Sequence, residues 1–426
     1  MIQQKLIVIA SYPPKGTIHE KHVVGGASYT KITLTAVQDI INKKHHVSQR
    51  ITVLAEKLPG QAEVYEEDNM IIKRLWKRNS LKTFILLAKE ILKDPNSDHV
   101  LLEFELAMFG EKRHIVFLPL FLFVLKLFHK NITIVFHQVI DDLDDLSGHI
   151  NIEKHSLKSK LFTFALKSLY ISLHTVSDTA IVFDEALKER LTHLYDRRKI
   201  MVIPLGIEKF NDIPTKQEAR KKLNIKNDAY VIVLFGFLAW YKGTDWIISH
   251  FAELKKSIPN LTLLIAGGPN PNHTTKKFYQ EYVDQIVTHC KEKEKEKDIS
   301  ISGFVAEKDI PVYFQAADCI IFPYRTYMST SGPLTLTYSF KKPFLVGKSL
   351  EKVFSNPDIH EIFQNTGLDA KELIFDLTTE SLIKRLGTLK SNYSLQKKID
   401  SALTTLSDKR AWHIIAQKYY EILFAI

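Results

Sequence analysis

Four short segments of this 426-residue chain carry residue types that can hold an anion or work on a polar substrate. In VLFGFLAWYKGTDWII, Lys242-Gly243 sits where a strand-like run turns into a helical pattern, so its ammonium would stand at a helix entrance, as a phosphate-binding lysine does. The same spacing also fits an ordinary surface lysine. In IIFPYRTYMSTSGPLTLTYSF, Ser331-Gly332-Pro333 offers a hydroxyl, an unhindered amide and a proline acceptable in a first helical turn. Two successive donors at a helix N-terminus can cradle a diphosphate, although a plain N-cap uses the same residues. Arg325, just upstream, adds a bidentate phosphate donor. Gly25-Gly26 precede another helical pattern, where their amides would approach a phosphate or simply form a flexible turn. His137 ends the run ITIVFHQV, placed either to hydrogen-bond a hydroxyl or phosphate or to satisfy a backbone group.

Other chemistries find little support. Neither a GxGxxG nor a Walker pattern occurs, which argues against a dehydrogenase or nucleoside triphosphatase. Asp141, Asp142, Asp144 and Asp145 cluster on one loop without His or Cys company, so no metal site is expected there. Cys290 and Cys319 are the only cysteines, too few for a disulfide framework, and a reducing cytosol is expected. The net charge of +10 is spread evenly: 28 basic against 23 acidic residues through Leu205, and 30 against 25 beyond. An even excess favours acidic substrates or an anionic membrane surface over a nucleic-acid module.

The elements that must position these residues alternate from end to end. Apolar runs at 6–11, 51–56, 99–104, 132–136, 179–183 and 200–204 read as buried strands, with helical periodicity at 27–43, 80–93, 115–130, 156–175 and 184–195. A second series has strands at 230–236, 261–268, 299–304, 319–324, 343–346 and 373–375, with helices at 244–257, 274–292 and 308–316. Strands separated by helices imply parallel βαβ units, and two series imply an α/β protein of two doubly wound domains. Pro, Gly and Asn-Asp near 205–215 mark the boundary. A last helix carries Trp412, Ile415, Tyr419 and Leu423 on one face and has no strand after it; the KEKEKEK run at 291–297 reads as a solvated helix end. The apolar N-terminal run is too short for a signal peptide. The stretch 115–125, interrupted by Pro119, is too short to span a bilayer, which takes roughly 20 residues.

Ligands of open parallel sheets bind beyond the strands' carboxyl ends, so the cleft between two such domains is the expected site. Taken in order, these segments resemble the retaining glycosyltransferases of family 4, which have the two-domain GT-B fold. The resemblance rests most on FGFLAWYKGTDWIISHFAELKKSIPNLTLLIAGG (235–268), then on GFVAEKDIPVYFQAADCIIFPY (303–324) and SGPLTLTYSFKKPFLV (331–346). GGASYT (25–30), LEFELAMFG (102–110), FHQV (136–139) and IPLGI (203–207) agree less tightly.

The resemblance implies transfer of a hexose from a nucleotide diphosphate sugar, GDP-mannose or a UDP-sugar, to a glycan or lipid-linked acceptor. Retention of configuration is implied, with no cofactor and usually no metal. It implies an acceptor-binding domain over 1–205, a Rossmann-like nucleotide-sugar domain over 206–407, and a helix at 408–426 that crosses back. By position, Gly25 and Gly26 would lie near the donor phosphates and His137 near the transferred sugar. Gly236, Lys242, Ser331, Gly332 and Pro333 would form the donor site around the diphosphate, and Gly303, Phe304 and Val305 would line the base. Three departures stand out. Phe237-Leu238 occupies the region where many members carry an arginine, and Leu205-Gly206 replaces the linker's usual His-Gly. The paired glutamates are absent too: no carboxylate lies between Asp318 and Glu351, and the second glutamate's place falls on Leu336 or Thr337. Two other functions stay open, a non-catalytic nucleotide-sugar-binding protein and a nucleotide-sugar epimerase. A cytoplasmic location is expected. The lysine-bearing apolar segments 114–130 and 156–175 are open to two readings, peripheral membrane contact or buried core helices.

Overall fold

The computed structural model describes residues 5–424, apart from 21–22, 24, 46–49, 95–96, 151, 272, 275 and 295–297. Eight strands form the first sheet: β1 (Leu6–Ile9), β2 (Thr52–Glu56), β3 (Val64–Glu67), β4 (Met70–Trp76), β5 (His99–Phe104), β6 (Asn131–Phe136), β7 (Thr179–Val182) and β8 (Ile200–Val202). Their order is β3-β4-β2-β1-β5-β6-β7-β8. Six more form the second: β9 (Tyr230–Phe235), β10 (Leu261–Ala266), β11 (Ile299–Ile301), β12 (Cys319–Phe322), β13 (Phe344–Gly347) and β14 (Ile374–Phe375), in the order β11-β10-β9-β12-β13-β14. Every pairing is parallel except that of β3 with β4.

That antiparallel hairpin is absent from the sequence reading. Its two-residue turn, Asp68-Asn69, has both residues at positive φ, the geometry that matches strand twist in a tight hairpin. The signal was therefore present in EEDNM, flanked by residues of alternating polarity.

The apolar runs form parallel strands because both faces of each sheet are covered. Alternate residues of the first sheet serve different cores. Ile7, Ile9, Val100 and Leu102 face one, while Leu6, Val8 and Leu101 face the other. The helices Lys82–Leu92, Leu118–Leu127 and Leu157–Val176 cover the first of these faces, through Phe84, Leu122 and Tyr170 among others. Pro119 does not break its helix. It lies in the first turn of Leu118–Leu127, where its missing N–H costs nothing, and a separate short helix, Lys112–Ile115, precedes it. The two apolar segments prove to be core and surface at once: Leu118 and Leu122 are buried, whereas Leu120 and Phe123 are exposed. Among the described residues no helix is long and apolar enough to cross a membrane.

The opposite face is covered by the helix Gly25–His45 and by the last helix, Trp412–Phe424. Ile415, Tyr419 and Leu423 share a core with Leu34, Val37 and Ile41, so the chain's end packs on the first sheet after the second is complete. The two crossings between sheets lie side by side, where Ile207 N–H donates to the Arg410 carbonyl at 2.8 Å. Arg410 is fixed by two bonds to Asp358, 2.7 and 2.8 Å. The 291–297 run begins inside the helix Lys277–Glu294, and its last three residues lie outside the described residues.

The buried bond between Tyr29 Oη and Tyr419 Oη, 2.8 Å, ties the last helix to the Gly25 helix. Tyr419→Phe removes it and is expected to lower stability by about 1 kcal/mol, read as a shift in the urea midpoint of the transition that carries the first sheet.

Candidate functional site

Parallel strands place their carboxyl ends on one edge, and in this chain those edges meet across a cavity of about 400 Å³. The second sheet supplies its floor. β9 ends at Phe235 and continues through Gly236; β10 continues through Gly267 and Gly268; β12 leads to Tyr324, and all these residues line the cavity.

Lys242 closes the short turn Trp240–Lys242, ahead of the helix Thr244–Ser257. Between them Gly243 adopts φ +73°, and a Cβ there would collide with the Pro323 carbonyl, so only glycine lets the turn sit against the β12 loop. The Lys242 side chain folds back over Gly236, its Nζ lying 2.9 Å from where a Cβ on Gly236 would stand, beside Pro333. It is the only lysine or arginine among the described residues lining the cavity, and no carboxylate partners it. Burial pushes its pKa down to about 8.

Facing it is the start of the helix Gly332–Ser339. Ser331 is the N-cap, its Oγ accepting the Leu334 N–H at 3.3 Å and lying 3.2 Å from Tyr324 Oη. Because Leu334 is capped and Pro333 has no N–H, the Gly332 amide is the donor left at the helix tip, and the space around its Cα is open. One ammonium and the positive end of a helix therefore converge with no carboxylate among the described residues paired to either, an arrangement suited to a diphosphate.

Arg325 is a correction to the sequence reading. It does not line the cavity. Its guanidinium grips Asp245 through two bonds, 2.8 and 2.6 Å, donates to the Trp240 carbonyl at 2.6 Å, and stacks 5.0 Å over the Trp240 ring. A guanidinium held by a carboxylate in this way has little left for a phosphate, and its work is to brace the turn that presents Lys242. Gly303 also stands back from the lining: with φ +70° it turns the chain so that Phe304 and Val305 reach the cavity.

On the opposite wall, Gly25 and Gly26 are the first two residues of their helix. Gly25 is open, but a Cβ on Gly26 would collide with Glu105, whose carboxylate lies over it. Gly26 is therefore covered by a carboxyl group and is a poor phosphate cradle, contrary to the sequence expectation. His137 lies between two carboxylates, its Nε2 2.6 Å from Glu103 and its Nδ1 4.0 Å from Glu105. Burial alone would lower the imidazole's pKa, but the Glu103 hydrogen bond and the charges of Glu103 and Glu105 outweigh it, leaving the pKa raised. Glu103 Oε1 is buried without a hydrogen-bond partner, and Glu105 lines the cavity. Both glutamates lie in the segment LEFELAMFG, but strand-end position alone did not single them out. Glu208, on the crossing between the sheets, also lines the cavity; burial and the nearby Glu307 push its pKa up to about 7.

The two walls are latched. Asp184, whose Oδ1 caps Leu187 at 2.8 Å, accepts from Tyr327 Oη and Thr330 Oγ1 through Oδ2. The segment leading to Ser331 is thereby held by the first sheet's side. The loop at 141–145 is occupied locally: Asp144 accepts from the His155 N–H and the Ser159 hydroxyl, and Asp142 accepts from the Asp144 N–H.

Residues 215–337 match the family described as "Glycosyl transferases group 1". The α-monoglucosyldiacylglycerol synthase of Acholeplasma laidlawii is 28% identical over 225 residues, 51% of this chain and 49% of that protein. The chain spans about half or less of the length of the curated relatives it matches. Sucrose-phosphate synthase from Thermosynechococcus elongatus superposes with a TM-score of 0.73 at 14% identity, over 98% of each chain. Anabaena HepE in complex with UDP-glucose gives 0.66 at 14% identity, covering 99% of this chain and all of that one. The family match and the relatives support the glycosyl transferases group 1, and the structural likenesses establish the GT-B fold of two Rossmann-like sheets facing across a cleft.

A charged lysine whose folded pKa lies below its unfolded one destabilises the fold below the folded value, and the penalty fades as pH rises toward the unfolded value. With Lys242 near 8 against an ordinary 10.5, Lys242→Met should stabilise the free protein at pH 7 by up to about 3 kcal/mol. The gain should shrink between pH 8 and 10.5, as read from thermal melts across that range.

Proposed function

We propose that this chain is a retaining glycosyltransferase of family 4, moving a hexose from a nucleotide diphosphate sugar to a glycan or lipid-linked acceptor. The observation that carries this reading is the unpaired Lys242 ammonium opposite the Gly332 helix tip, inside a cleft between two parallel sheets. The donor is GDP-mannose or a UDP-sugar. Residues 206–407 hold it, with the diphosphate between Lys242 and the Ser331 and Gly332 amides and the base against Phe304 and Val305. Residues 1–205 present the acceptor, and residues 408–426 tie the acceptor side to the donor side. The absence of any carboxylate from 319 to 350 marks a divergent branch that works without the family's paired glutamates.

As the bond from the anomeric carbon to the β-phosphate oxygen breaks, negative charge grows on that phosphate. Lys242 and the helix tip stabilise it, and such preorganised electrostatics usually contribute more to catalysis than any other effect. The acceptor oxygen bonds to the anomeric carbon on the face the phosphate leaves, and its proton passes to the departing phosphate oxygen. No nucleophilic carboxylate and no metal are required. Glu105, beside His137, is placed to hold an acceptor or donor hydroxyl; Glu103 fixes the imidazole and is a positioning residue.

A donor screen by thermal shift tests the reading. GDP-mannose, UDP-glucose, UDP-galactose and UDP-N-acetylglucosamine are each tried with and without magnesium, followed by assay of released nucleotide diphosphate. One donor is expected to stabilise the protein and to be slowly hydrolysed without metal. Stabilisation without turnover on any acceptor would favour a binding protein, and an altered donor sugar would favour an epimerase. Lys242→Ala should lower turnover on the order of 10²–10³, as loss of one oxyanion donor does. Binding should weaken as pH rises through about 8, where the free lysine loses its charge. Glu105→Gln is expected to reduce transfer to the acceptor on the order of tenfold or more while leaving the thermal shift by nucleoside diphosphate intact.

A further inference from the structure

Thirteen of the seventeen exposed large hydrophobic residues among the described residues fall on three neighbouring helices of one sheet face or on the residues flanking them, so the exposure is a patch rather than scatter. Leu81, Ile85 and Leu86 belong to the helix Lys82–Leu92 and its N-cap. Val116, Phe117, Leu120 and Phe123 rise from the region of Leu118–Leu127. On Leu157–Val176, the residues Leu157, Leu161, Phe164 and Ile171 form a stripe at helical spacing, with Leu157 83% and Phe164 69% exposed. Exposed lysines at 158, 160 and 167 interleave with that stripe. The three helices carry six lysines and one acid, Glu90, and of the lysines Lys126 is paired with Asp178 at 2.9 Å. Glu90 is already bridged to Lys73 and Lys93, 2.6 and 2.8 Å away.

We propose that this three-helix face docks the protein on an anionic lipid bilayer. A second copy of the same face would set cation against cation. A bilayer surface instead takes the apolar residues into its acyl boundary and the lysines to its headgroups. After parallel strands, helices begin at the strands' carboxyl edge, which is the edge the cavity opens on. Leu81, Val116, Phe117 and Leu157 thus lie at the cavity's end of the patch, and Glu105 is at the start of the loop that leads there. Resting on the transferase reading, this deepens it: the acceptor is an amphiphile resident in the bilayer, its polar head reaching Glu105 while its tail stays behind.

The experiment is flotation of the full chain with vesicles of phosphatidylcholine alone or mixed with phosphatidylglycerol, at low and high salt. Donor binding by thermal shift is measured separately, so failure of either reading is distinguishable from failure of the other. The protein is expected to float with the anionic vesicles at low salt and to be released by salt. Leu161→Glu with Phe164→Glu, and Lys158→Glu with Lys160→Glu, should each lower partitioning on the order of tenfold. Their donor-induced thermal shift should be unchanged, since these side chains project away from the core. No flotation with anionic vesicles would overturn the proposal. So would partitioning unaffected by both double variants, or a stable dimer that Leu161→Glu with Phe164→Glu dissociates.

Discussion

An ammonium withdrawn from water with no carboxylate beside it is the constraint around which the cleft is arranged. Lys242 is held in that state by backbone shape: Gly243 takes a left-handed turn against the Pro323 carbonyl, and Gly236 leaves room for the folded-back side chain. Arg325, which the sequence placed beside it, is paired with Asp245 and stacked on Trp240, so it supports the turn without adding a second free charge to the cavity. The helix tip at Gly332 completes the positive pole. Such a pole is costly when empty and favourable when an anion fills it, which ties stability and ligand binding to the same residue.

The opposite wall has the reverse polarity. Glu103, His137 and Glu105 form a carboxylate–imidazole–carboxylate series in which burial and charge compete over the imidazole's proton, and charge prevails. A cleft that is positive on one wall and negative on the other can orient a substrate whose phosphates and hydroxyls lie at opposite ends. The walls stay in register because Asp184 caps a helix on one side and accepts two hydroxyls from the other. The last helix adds a second tie, joining the first sheet's core through Ile415, Tyr419 and Leu423.

The face away from this core carries a different kind of information. The helices that bury Leu118, Leu122 and Tyr170 against the first sheet turn Leu120, Phe123 and Phe164 outward. Folding alone explains the inward set. The outward set, interleaved with lysines and almost free of acids, has no role in packing, and it is on this surface that the proposed bilayer contact rests.

Local pattern in the sequence identified twelve of the fourteen strands, the helices between them and the helix entrances bearing Lys242 and Ser331. Each depends on local periodicity or on residues adjacent in the chain. It contained the Asp68-Asn69 hairpin signal as well, although that two-residue turn is easily passed over beside longer patterns. Tertiary structure alone decided which polar groups were free. Arg325 finds Asp245 eighty residues away, His137 finds Glu103 thirty-four away, and Glu105 comes to lie over Gly26 from the loop after β5. The spacing of one-letter codes cannot say whether a cation is already paired or an amide already shadowed by a carboxylate. Charge pairing acts through space over a few ångströms, and only the folded chain brings those distances into being.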